Sequence, residues 1–172
     1  MGTQTFNNTF FHLLALHNSI VSDFTYVSDL NDQSDAERIL KGTNGFDRML
    51  DENFPEWKRD DEKMETALVV YDDLYFRFEN NLSRYFRNLF HLIEFVHVSD
   101  VPLKRFYTNI VRAQLSNAEI VLLFYNGLHR NGREKFKPLI EMYGLLKNIS
   151  RPEAYRKHQA YCESAFAGQD DK

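Results

Sequence analysis

The spacing of bulky apolar residues constrains this chain more than any other feature. Phe6, Phe10, Leu13, Leu14, His17, Ile20, Val21 and Phe24 recur every three or four positions. Leu82, Tyr85, Phe86, Leu89, Leu92, Ile93 and Val96 do the same. That period gathers side chains on one face of an α-helix, whereas a strand needs strict alternation. Seven glycines and four prolines in 172 residues leave little to interrupt such helices, which disfavours a turn-rich β-sandwich. With 43% hydrophobic residues, among them fifteen Phe and nine Tyr, the chain has ample material for a core and is not intrinsically disordered. The expected fold is all-α: a single-domain helical bundle of about six to seven helices over residues 1–168, with a disordered tail at 169–172.

The pattern predicts a first helix over Phe6–Phe24, then a polar loop from Ser28 to Asp35 and a short helix from Ser34 to Lys41. A helix over Phe46–Phe54 should be entered through Thr43-Asn44-Gly45 and stopped near Pro55. A long helix should begin at Asp60 and reach at least Glu79, followed by one over Leu82–Val98. Ser99-Asp100-Val101-Pro102 reads as the start of a helix running unbroken through Phe106, Leu115 and Leu122 to Leu128. Asn131-Gly132 should break it, before another helix over Arg133–Ile149 in which Pro138 is tolerated near the first turn. Ser150-Arg151-Pro152 opens a weak last helix, and Gly168 begins a frayed end.

Several chemistries are disfavoured at once. The single cysteine, Cys162, has no partner for an internal disulfide, sits in the weak terminal helix, and belongs to no zinc cluster. There is no Gly-rich phosphate loop, no Gly-x-Ser-x-Gly turn and no His-Glu-x-x-His pair, so neither a cofactor nor a metal is expected. No apolar run approaches the roughly 18 residues of a membrane span, and no signal peptide is evident. The expected location is therefore the cytoplasm. The net charge of −4 hides an asymmetry: residues 1–73 hold 15 acids and 6 bases, and residues 74–172 hold 10 acids and 15 bases. A basic second half suits an anion-binding surface, although ordinary scatter on helix surfaces gives the same count.

One face of the 82–98 helix carries the most suggestive chemistry. Arg87 and His91 lie four residues apart, Arg84 and Asn88 flank them, and Glu94 continues the face. Guanidinium groups bind phosphate bidentately, and an imidazole transfers protons near neutral pH, a pairing suited to an RNA phosphodiester. A solvated face in which Glu94 pairs with Arg87 or His91 explains the same residues. Arg112, Ser116, Glu119 and Asn126 form a second polar stripe on the next helix, as a buried network with Arg112 paired to Glu119 or as a subunit contact. His17 falls within the apolar stripe of the first helix, the usual setting of a satisfied core histidine. His12, His129 and His158 have no comparable setting.

Four runs together resemble a known family. The stretches Phe6–Val21, Tyr85–Ile93, Phe106–Glu119 with Leu122–Asn126, and Phe136–Tyr143 with Leu145–Asn148 are similar, in that order, to the motifs of the phage abortive infection (AbiC-type) domain. The resemblance covers residues 6–149 and implies bacterial anti-phage defence, in which an infected cell stops growing before phage matures. It also implies that any membrane contact comes through a segment absent from this chain, since such a segment commonly precedes the domain. Asn44-Gly45-Phe46 departs from the more basic turn expected there. Other abortive infection proteins belong to the HEPN class, helical dimers that cut RNA without metal and carry Arg, often a polar residue, and His four to six positions on. Here Arg87-Asn88 fits the first two positions, but only three residues separate Arg87 from His91; six separate Arg84 from His91, but Tyr85 stands in place of the polar residue. Two expectations follow. One is an RNA-cleaving homodimer with Arg87 or Arg84 on the phosphate, His91 as acid or base, Asn88 orienting them, and Arg112 and Glu119 behind. The other is a non-enzymatic sensor of a phage protein, or an oligomeric scaffold.

Overall fold

The computed structural model describes residues 2–28, 39–54, 63–150 and 160–167. Among these the chain forms eight helices and one two-stranded sheet. Helix α1 (Thr3–Asp23) buries Phe6, Phe10, Leu14, His17 and Ile20, the stripe its spacing predicts. Phe24 leaves helical geometry and leads into β1 (Thr25–Val27), which pairs antiparallel with β2 (Ile39–Lys41) in the register Thr25↔Lys41, Tyr26↔Leu40 and Val27↔Ile39. Helix α2 (Gly42–Asn53) follows directly, and the Phe24 and Phe46 rings stack at 4.0 Å to hold it against the end of α1.

Helices α3 (Met64–Arg77) and α4 (Glu79–Val98) are separated only by Phe78, at φ −111° and ψ 25°. α4 is the central strut, packing against α1, α3, α5 (Lys104–Arg112) and α7 (Phe136–Tyr143). Helix α6 (Asn117–Leu128) is buried without a break from Ala118 to Gly127, so it is apolar nearly all round rather than striped. The single turn α8 (Ser164–Ala167) closes on α7: the Leu146 amide donates to the Ala165 carbonyl at 2.9 Å, and the Tyr161 hydroxyl donates to the Phe124 carbonyl at 2.7 Å. One apolar core runs from Phe6 to Phe166. Its aromatic surplus packs edge-to-face and offset, as in Phe6 against Tyr107 at 4.8 Å and Phe54 against Tyr125 at 4.7 Å. Among the described residues no helix is long and apolar enough to cross a membrane.

The all-α reading holds, with four corrections. The helix expected over Ser34–Lys41 is a strand at residues 39–41, and the rest of it lies outside the described residues. Lys104, not Pro102, opens α5; Leu103 precedes it in the left-handed region at φ 61°. The helix expected through to Leu128 is two helices. Ser116 leaves helical geometry at ψ 166° and caps α6, its hydroxyl accepting from the Glu119 amide while Glu119 accepts from the Ser116 amide. This reciprocal Ser-x-x-Glu pattern is a signature of a helix N-terminus. The helix expected over 133–149 shrinks to Phe136–Tyr143, with Pro138 in its first turn as predicted. Gly144 ends it at φ 61°, a backbone conformation that side chains with a Cβ resist. Much of the 28–35 loop, the start at Asp60, Pro55, the opening at Arg151-Pro152 and the 169–172 tail lie outside the described residues.

Candidate functional site

Burial of seven apolar residues along one stripe of α4 fixes what its other side presents. Arg84, Arg87 and His91 are exposed, while Asn88 is half-buried. Arg87 and His91 line a cleft of about 450 Å³ between α4, the end of α3, and the turns joining α6 to α7. Glu79, Ser83, Phe86 and Phe90 of α4 share its wall, Tyr75 comes from α3, and Asn126 from α6. Asn131, Lys135 and Phe136 complete it. The His91 Nδ1 lies 3.0 Å from Glu94 Oε2. An ionised carboxylate only accepts hydrogen bonds, so in the neutral ring Nδ1 carries the proton and Nε2 the lone pair. Among the described residues neither Arg87 nor Lys135 has an ion-pair partner.

The turn that brings Asn131 and Lys135 to the cleft is anchored beneath. His129 is buried between the Tyr71 and Tyr75 rings, and its Nε2 donates to Asp72 Oδ1 at 2.7 Å. Its Nδ1 accepts from the Asn131 amide at 3.4 Å, which makes the ring a bridge from α3 to the turn. Arg130 reaches the same carboxylate at 3.3 Å, and the hydrogen bond from His129 holds the Asp72 carboxyl below its ordinary range. Gly132 lets the turn fold back onto α6: a Cβ there would stand 2.3 Å from the Asn126 carbonyl oxygen, a backbone atom that cannot move aside.

Of the other expected site residues only Asn126 joins this cleft. Arg84 lines a separate cleft of about 260 Å³ with Asp23, Asn80 and Asn81, on the α1–α2 side of α4. Asn88 turns to α1, where its Oδ1 lies 3.3 Å from the His17 Nδ1. His17 is 1% exposed, and burial drives its pKa down to about 4, so the ring is neutral. Arg112 is half-buried at the end of α5 and donates to the Gly144 carbonyl at 3.4 Å; burial lowers its pKa from the ordinary value. The expected pairing of Arg112 with Glu119 is not formed. The break at Ser116 turns Glu119 instead into the core, where it accepts from the Tyr85 hydroxyl at 3.0 Å and the Ser116 amide at 2.9 Å. Of the second stripe only Asn126 reaches the cleft, 2% exposed and with its amide nitrogen unbonded beside the equally unbonded Tyr71 hydroxyl.

Burial raises the Glu119 carboxyl above its ordinary pKa of 4.5, with its hydrogen bonds offsetting only part of the shift. Between that ordinary value and the raised one, the native state holds a proton that the unfolded chain has lost. Stability contributed by this residue therefore falls as pH rises through the interval. In Glu119→Gln the amide keeps an acceptor for Ser116 and remains uncharged. Urea unfolding of both proteins from pH 4 to pH 7 should show the wild type losing ground to the variant as pH increases; parallel curves would refute the shift.

Tyr75, Glu79, Asn131 and Lys135 were absent from the sequence-based candidates. Lys135 carried a faint signal, as one of the bases following the Asn131-Gly132 break, but only the fold of the turn aims it at Arg87 and His91.

Residues 77–154 match the model of a family described as "putative phage abortive infection protein". The matched stretch runs from the last residue of α3 through α7 and contains every cleft residue except Tyr75. The opening run Phe6–Val21 lies outside it. No curated protein and no solved structure matches the chain. The match covers less than half of the chain and likens that stretch to proteins of abortive infection.

Proposed function

We propose that this chain serves abortive infection as an endoribonuclease whose chemistry is carried by the outer face of α4. The observation that favours this reading most is the meeting of Arg87, His91 and Lys135 at one solvent-open cleft, with both fixed cations unpaired among the described residues. Two positive charges beside a titratable imidazole can bind a phosphodiester and neutralise the charge that builds on its oxygens without calling on a metal. Arg84, Arg112 and Glu119 are not part of the proposed machinery.

In the proposed reaction the 2′-oxygen of a ribose attacks the adjacent phosphorus. A P–O2′ bond forms, the P–O5′ bond breaks, and the products end in a 2′,3′-cyclic phosphate and a 5′-hydroxyl. His91 Nε2 takes the 2′ proton and, as imidazolium, returns it to the departing 5′-oxygen. Glu94, accepting from Nδ1 at 3.0 Å, holds the ring with Nε2 outward. Arg87 grips the non-bridging oxygens through its planar fork, and Lys135 adds a point charge from the facing turn.

The direct experiment incubates the full chain with end-labelled cellular RNA in excess EDTA. Fragments ending in cyclic phosphate are expected. Intact RNA, or fragments ending in 3′-hydroxyl, would reject the reading.

A further inference from the structure

The cleft holds more than its cations. Phe90 is half-buried, packs edge-on against Phe136 at 5.6 Å, and turns the remainder of its ring to the cleft; Tyr75 lies on the α3 side. A bare phosphate site needs none of this aromatic surface. The deepest polar residue, Asn126, has an amide nitrogen with no hydrogen-bond partner although it is buried, and such a group is costly unless something satisfies it. Its amide carries two N–H groups, so the neighbouring Tyr71 hydroxyl would use only one of them. Asn131 adds a second amide at the mouth. Aromatic walls, amides beneath and cations at the rim are the complement of a nucleotide, whose base has two π faces and a hydrogen-bonding edge and whose phosphate is anionic. A volume of about 450 Å³ also exceeds what a phosphate alone occupies.

We propose that this cleft is a nucleotide pocket entered base first. Phe90 stacks the base, Asn126 and Asn131 read its edge, and Arg87 and Lys135 hold the phosphate at the rim. The inference rests on the ribonuclease reading for taking that nucleotide as a residue of a single RNA strand, and it makes the pocket the point at which the strand is read. Double-stranded RNA is excluded as a ligand, because a paired base cannot enter.

Calorimetric titration of the full chain separates the parts. Each of the four ribonucleoside 5′-monophosphates is compared with ribose 5-phosphate, and the best of them is then competed with a single-stranded RNA 9-mer of the same base. At least one nucleotide should bind about tenfold or more tightly than ribose 5-phosphate, from stacking alone. Asn131→Ala and Phe90→Leu should erode that margin while leaving ribose 5-phosphate unaffected; Asn131 is exposed, so its variant keeps the fold even if Phe90→Leu does not. Lys135→Gln should weaken both ligands alike, by about tenfold. The 9-mer should displace the mononucleotide. Ribose 5-phosphate binding as tightly as every nucleotide would overturn the pocket, as would a 9-mer that binds without displacement. Base-dependent binding to a protein that never cleaves RNA would overturn the ribonuclease reading and leave the pocket standing.

Discussion

His91→Ala is expected to lower kcat/KM for RNA cleavage by about 10²- to 10⁴-fold, the range that a positioned proton-transfer group contributes, while the thermal unfolding midpoint stays within error of the wild type. The asymmetry between the two outcomes follows from where the side chain sits. His91 is 60% exposed, its partner Glu94 is 41% exposed, and a pair so open to water contributes little to folding. Neither belongs to the α4 stripe that binds the helix to the core. Activity lost without stability lost is therefore the signature of a catalytic role. A variant that cleaves at the wild-type rate removes His91 from the chemistry. Glu94→Gln sharpens the test. The amide can still accept from Nδ1, but a neutral acceptor holds the ring less firmly than a carboxylate, so kcat/KM should fall while the unfolding midpoint stays put. An unchanged kcat/KM would leave Glu94 without a part in orienting His91.

Where side chains repeat with helical period, the fold was legible before any coordinates. The stripe of α4 came out residue for residue and that of α1 nearly so, with Leu13 and Val21 only half-buried, since each helix buries one face and burial is what writes the period into a sequence. α6 was harder. A helix buried from Ala118 to Gly127 has no polar face to mark its beginning, and the apolar run of α5 merged with it across Ala113–Ser116. The Ser116–Glu119 capping box was the one local mark of the boundary. Ser116 and Glu119 also fit a continuous polar stripe with Arg112, and the break at Ser116 is what forbids the pairing of Arg112 with Glu119. The strand at Ile39–Lys41 had no local signal either, because three residues are too few to show alternation and their partner is 14 residues back.

The candidate site divides along the same line. Arg87 and His91 share a cleft because both sit on one helix, and helical geometry is local. Asn131 and Lys135 arrive on a turn tied down by His129 and Asp72, and Tyr75 arrives on α3; nothing in a linear pattern places a turn against a helix face. His17 is the instructive middle case. Its place in an apolar stripe correctly marked it as a core residue, but satisfaction was incomplete: Nδ1 meets Asn88, and Nε2 has no partner.

That incomplete satisfaction makes His17 an acid-sensitive point between α1 and α4. The ring lies between α1 and α4, 5.2 Å from the Tyr85 ring, and the one polar group bonded to it is the uncharged Asn88. Desolvation therefore dominates and carries the pKa from 6.5 to about 4. Between these values the unfolded chain binds a proton that the native state refuses, so stability rises with pH across the interval and falls as pH drops. A shift of that size corresponds to about 3 kcal/mol, fully lost near pH 4 and unfelt above pH 6.5. His17→Gln retains a donor for Asn88 but cannot titrate. At pH 7 the variant should be the less stable protein by about 1 kcal/mol, the usual cost of disturbing a packed, hydrogen-bonded site. Near pH 4.5 the order should reverse, because only the wild type has been losing stability through this position. Denaturant midpoints for the two proteins that cross between pH 7 and pH 4.5 are the expected result. Curves that stay parallel over that range would mean that the imidazole accepts a proton where it stands, and that the α1–α4 interface is wetter than its packing implies.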